Sequence, residues 1–195
     1  MKYQIQSGWL SGVRRVASPH CNARPDNTDV DLLVIHSISL PPGQYGGAFI
    51  DEFFLGHLDI DAHPYFAEIA TLRVSAHLLI DRNGRVTQYV PFTARAWHAG
   101  QSTFCGRDNC NDFSIGIELE GLDTDTFTAE QYTALAEVTA AIVEEYPGID
   151  RSRITGHSDI APGRKLDPGP GFHWSQYFHE LDALAGNNKG DLPEA

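Results

Sequence analysis

Positive charge is scarce in this chain: 14 lysines and arginines stand against 26 aspartates and glutamates in 195 residues, a formal net charge of −12. Such a surface repels a nucleic-acid backbone and an anionic membrane face, so neither is expected as a partner. Acidic small molecules stay open, because they need only one local basic pocket. Cysteine is scarcer still. Three thiols, Cys21, Cys105 and Cys110, cannot make a disulfide framework. Cys105 and Cys110 also lack the CxxC spacing of a structural zinc site. A reducing cytoplasm is the expected setting. Long apolar runs are missing too: Met1 to Gly12 does not read as a secretory leader, and no later stretch reads as a membrane span. Without repeats or low-complexity segments, the chain is expected to form one domain over residues 1–185 and a loose tail over 186–195.

What is present is a set of short β-branched runs and one clear amphipathic helix. Val30 to Ile38 and Ser75 to Asp81 read as buried strands. Asp81-Arg82-Asn83-Gly84 is a hairpin signal leading into Val86 to Val90. Ser114 to Glu120 alternates strictly, with Ile115, Ile117 and Leu119 on one face and Gly116, Glu118 and Glu120 on the other. Arg153 to Gly156 is a short final strand. Thr128 and Gln131 form a capping box, and the apolar positions after it recur at helical spacing until Pro147-Gly148. Shorter helices are expected at Gly47 to Leu55 and Ser175 to Leu184. Strands and helices mix without a regular βαβ rhythm, so the expected class is α+β, a single mixed sheet with helices packed on it.

Nine histidines stand out, though most histidines are ordinary polar residues. Three segments place polar side chains directly after buried strands: LLVIHSISLPPG, NDFSIGIELEG and ITGHSDIAPGRKLDPGPGF. A catalytic zinc needs three N or O ligands and one open position for water. His36, His157 and Asp167 would supply them if the first and last strands are neighbours in the sheet. The alternative keeps both histidines as ordinary strand-end residues and Asp167 as a turn former before Pro168. No local HExxH motif decides between the two. Glu118, mid-strand beside Gly116, is the natural general base, with Gly116 leaving room for substrate or water. Glu120 is its rival on the same face, and both carboxylates could simply form the wet side of a half-exposed strand. Lys165 lies two residues before Asp167 and would point the same way in an extended segment.

The segments VIHSISLPPGQYGG, HPYF, RAWHAG, CNDFSIGIELEG and GHSDIAPGRKLDPGP, in this order, resemble the 1,6-anhydro-N-acetylmuramyl-L-alanine amidases of Gram-negative bacteria, the AmpD family. The resemblance runs from about Gly8 to Phe178. The wider superfamily includes phage-lysozyme amidases and peptidoglycan recognition proteins. The resemblance implies the recognition-protein-like amidase fold and one Zn2+ per chain on His36, His157 and Asp167. It also implies Glu118 as proton acceptor for a zinc-activated water and Lys165 as oxyanion stabiliser. The implied reaction is hydrolysis of the lactyl–L-alanine amide of muropeptides during wall recycling in the bacterial cytoplasm. A damping effect on β-lactamase induction and a monomeric state come with that reading.

Several positions depart from the family. Ser37 stands where Asn is expected, Asn109 where Arg is, and Gly163 and Leu166 where Glu and Thr are. Ala76 occupies the position of a tyrosine that assists catalysis in phage-type relatives, which shifts the burden to Glu118. Arg73 and Arg107 are candidates for gripping the stem-peptide carboxylates, each otherwise a solvated surface arginine. Trp97 and His98 are candidates for lining the sugar or lactyl side, Ser37 is a substrate-binding candidate whose change, like that at Asn109, would alter grip on the peptide stem, and His98 is the best substitute metal ligand. His77 reads as structural. A sensor without turnover and a zinc peptidase are the competing classes, separable by metal analysis and by mass spectrometry of products.

Overall fold

The β-branched runs assemble into a six-stranded mixed sheet in the computed structural model of the chain, which describes residues 2–187. Its strands are β1 (Arg14–Arg15), β2 (Leu32–Ile38), β3 (Leu78–Ile80), β4 (Val86–Gln88), β5 (Ser114–Glu120) and β6 (Ile154–Gly156). The order across the sheet is β6-β2-β5-β3-β4-β1. β6, β2, β5 and β3 run parallel, β4 returns antiparallel to β3 through the expected hairpin, and β1 closes the edge parallel to β4. The helices are α1 (Phe49–Leu55), α2 (Phe66–Ile69), α3 (Ala129–Glu145), α4 (His157–Ile160) and α5 (Trp174–Asn187).

The two faces of β5 explain its strict alternation. Ile115, Ile117 and Leu119 are fully buried against α3 and α5, in one core with Leu33, Ile35, Leu135, Ile142 and Tyr177. The other face is not wet: α1, α2, α4 and the segment around residues 94–113 cover it with two smaller cores. At the start of α3, Thr128 accepts from the Gln131 N–H and the Gln131 side chain answers to the Thr128 N–H.

Ladder pairing is shorter than two of the apolar runs suggest. The Ser75 N–H donates to Trp97 O and the Asp31 N–H to Phe113 O, so loop carbonyls take those donors instead of the sheet. α5 extends to Asn187, into the stretch expected to be a tail, and the rest of that stretch, 188–195, lies outside the described residues. Among the described residues no helix is long and apolar enough to cross a membrane. The consequence for function is positional: β2, β5, β3 and β6 all end on the same edge of the sheet, the edge where open α/β sheets hold their ligands.

Candidate active site

β2 and β6 are neighbours, and three side chains converge where they end. His36 is the fifth residue of β2, His157 opens α4 directly after β6, and Asp167 arrives on the loop after α4. His36 Nδ1, His157 Nδ1 and Asp167 Oδ2 are each 3.0 Å from the other two. The loop is fixed by backbone packing: a Cβ on Gly169, at φ +80°, would stand 1.8 Å from the Asp123 carbonyl oxygen, so only glycine lets the segment lie that close.

His157 Nε2 lies 3.1 Å from the Ala99 carbonyl, which only accepts, so a ring proton is there and, in the neutral ring, Nδ1 carries a lone pair. Burial works against charge on Asp167, yet the imidazoles of His157 and His36 hold its carboxyl far below the usual range. Burial, with a second positive charge at His157 opposing it, lowers His36 to about 4. Two imidazole nitrogens and a carboxylate oxygen therefore face one point, and a divalent cation of zinc's borderline character fits such an N, N, O set.

Glu118 stands opposite His36 in the parallel register of β5 and β2. Its Oε2 is the one enclosed side-chain polar atom among the described residues without a hydrogen-bond partner. Burial raises its pKa well above the ordinary 4.5, the Asp167 carboxylate adds to this, and the Lys165 ammonium pulls it back. An enclosed carboxyl with unspent acceptor capacity at a cleft is a candidate acid–base group. The cleft, about 400 Å³, is lined by Ser37, Trp97, His98, Glu118 and Lys165, and by apolar side chains that include Phe53 and Leu72. Lys165 itself is exposed at the rim.

Other expected site residues fall elsewhere. The Arg107 guanidinium grips both oxygens of Asp31, at 3.0 and 2.8 Å, and lies over the Phe113 ring. Arg73 donates to the Ala70 and Leu72 carbonyls. Neither lines the cleft, whose cations are Arg164 and Lys165. His98 is not in the ligand triangle: its Nδ1 is 2.9 Å from His36 Nε2, on the far side of that ring. The space left by Gly116 serves His98 rather than substrate, because a Cβ there would be 2.4 Å from the His98 ring. Glu120 is occupied, its carboxylate accepting from the Gly46 and Arg82 N–H groups. His77 is structural, accepting the Gly116 N–H in the core.

Two residues that shape the site carry no local sequence signal. Asn111 Oδ1 accepts the N–H groups of His98 at 3.0 Å and Ala99 at 2.8 Å. Arg164 Nη2 donates to the Ala99 and Gln101 carbonyls, both at 2.6 Å. Both act on backbone distant in sequence, so neither could be singled out by motif or periodicity.

Comparison with known proteins places the chain in a family. Residues 26–170 match the family described as N-acetylmuramoyl-L-alanine amidase. The 1,6-anhydro-N-acetylmuramyl-L-alanine amidase AmpD of Escherichia coli K12 is 59% identical over 173 residues, covering 89% of this chain and 94% of that protein. A crystal structure of a selenomethionine derivative of AmpD superposes with a TM-score of 0.89 at 56% identity, over 91% of this chain and 98% of that one. AmpDh3 of Pseudomonas aeruginosa, crystallised in complex with an anhydromuramic pentapeptide, is 30% identical with a TM-score of 0.57, over 85% of this chain and 69% of that one.

Proposed function

Since this chain belongs to the N-acetylmuramoyl-L-alanine amidase family, we propose that it hydrolyses the lactyl–L-alanine amide of 1,6-anhydromuropeptides with a zinc ion held by His36, His157 and Asp167. The observation that carries the residue assignment is the triangle of three acceptor atoms, 3.0 Å on each side, next to the unpartnered Glu118 Oε2. When bound, zinc supplies Lewis acidity that polarises a carbonyl and acidifies water.

The chain's own residues do the rest. Glu118, kept receptive by its enclosure, takes the proton of the attacking water at Oε2 and returns it to the departing alanine nitrogen. Lys165 stands at the rim on the loop that carries Asp167, where an ammonium can face the negative charge that develops on the carbonyl oxygen. Phe53 and Leu72 offer apolar surface to the ligand and Ser37 a hydroxyl, while Trp97, whose Nε1–H is held by Asn22 Oδ1 at 2.6 Å, contributes its ring. Arg164 and Lys165 are the local positive charge that an acidic substrate requires on so acidic a protein. The substrate is a soluble fragment and the working unit a monomer. The setting is the bacterial cytoplasm, in keeping with three unpaired thiols.

The test is metal analysis of the purified chain, with mass spectrometry of products from an anhydromuropeptide before and after chelation. One zinc per chain is expected, with loss of peptide release on chelation and recovery on adding zinc back. Full activity after complete metal removal would discard the assignment, and cleavage between two amino acids of the stem would make the chain a peptidase.

A further inference from the structure

His36 has both ring nitrogens committed, one to the ligand triangle and one to His98, and the far end of that second contact decides where its proton lies. Ser114 Oγ is 2.5 Å from the Cys110 carbonyl oxygen, which can only accept, so the single hydroxyl proton points there. His98 Nε2 is 3.1 Å from the same Oγ and must donate to it. Among the described residues no carboxylate hydrogen-bonds the His98 ring, which is buried against His36 and His77, and in its neutral form the ring has one N–H. Its Nδ1 is then a lone pair, and the proton of the 2.9 Å contact belongs to His36 Nε2. His36 Nδ1 is left bare toward His157 and Asp167.

We propose that His98 is a positioning residue, which holds His36 in the Nε2–H tautomer so that Nδ1 is a ready ligand for a divalent cation. The surroundings are built for that contact. Gly116 on β5 has no Cβ, which would otherwise stand 2.4 Å from the His98 ring, so the imidazole lies flush on the sheet beside His36. Asn111 clamps the His98 and Ala99 backbone through both N–H groups. One short segment thereby supplies both outer partners: the His98 ring orients His36, and the Ala99 carbonyl, 3.1 Å from His157 Nε2, orients His157. Fixing a tautomer before the ion arrives raises affinity by removing a competing state of the ligand.

This inference rests on the zinc reading above, and its first test is independent of it. Long-range proton–nitrogen NMR of the histidine rings in the metal-free, full-length protein should show His36 protonated at Nε2 and bare at Nδ1. A proton on His36 Nδ1 overturns the proposal whether or not zinc binds. The second test is zinc affinity by chelator competition. His98→Leu fills the space without an acceptor and should weaken binding roughly 10- to 100-fold. His98→Asn places a carbonyl oxygen near the position of Nδ1 and should recover most of that loss. Unchanged affinity in His98→Leu, or equal loss in both variants, assigns His98 to packing alone. If His98→Leu does not fold, the ring spectra of the unaltered protein still decide the question.

Discussion

Glu118 and Glu120 leave the same face of β5 two residues apart, yet the fold treats them in opposite ways. Glu120 ends the strand with its carboxylate satisfied by backbone: Oε1 accepts the Gly46 N–H at 2.5 Å and Oε2 the Arg82 N–H at 3.2 Å. It ties the 41–47 loop and the hairpin turn to the sheet. Glu118 meets no donor at Oε2 and opens into the cleft. Alternation makes the two carboxylates equivalent; what separates them is which loop backbone reaches each one. An enclosed oxygen without a partner costs stability, and such cost persists where the group has chemistry to perform.

That contrast can be broken by exchanging the burdens. Glu118→Gln keeps the shape and removes the proton acceptor, so turnover should drop about 10²- to 10⁴-fold, the usual scale for a general base. Unfolding midpoints should hold or rise, because a poorly satisfied carboxylate has been replaced by a neutral amide. Single-turnover release of peptide and a denaturant titration measure the two quantities. Glu120→Ala should show the reverse, a loss of about 1–3 kcal/mol from two stranded N–H donors, with turnover affected less than in Glu118→Gln. Should Glu118→Gln turn over normally while Glu120→Ala is dead and stably folded, the roles are interchanged.

Strand β5 was legible to the residue, because hydrophobic alternation is local and both of its neighbours pair along its full length or near its end. The Thr128–Gln131 capping box was legible for the same reason: all its atoms lie within one turn. The convergence of His36, His157 and Asp167 was not a local property. Their separations, 121 and 10 residues between neighbours in the set, are closed by sheet order and by the loop after α4, and it took long specific segments shared with a family to suggest them. Arg107 shows the limit of reading charge alone. It looked free for substrate, whereas Asp31, 76 residues away, already holds it. Gly116 shows the limit of reading space alone, since the gap it leaves is filled by the His98 ring from a covering layer. In both cases the deciding partner is remote in sequence and carries no periodic signature.

The smallest expected effect sharpens the comparison through pH. In the metal-free protein, burial together with the Asp167 carboxylate raises the Glu118 pKa well above its ordinary 4.5, with Lys165 opposing. A carboxyl with a folded pKa above its unfolded value contributes stability that is fully present below the unfolded pKa. That contribution is lost as pH rises through the folded one. Chelated wild type should therefore weaken relative to chelated Glu118→Gln as pH climbs from about 4.5, and the two unfolding curves should draw together under more acidic conditions. Acid-side convergence isolates the ionisation cost of Glu118 from any change in packing, because the amide and the protonated carboxyl have nearly the same shape. Curves that stay parallel across this range would mean that Oε2 meets its charge with solvent, and that the enclosure around it does not set its chemistry.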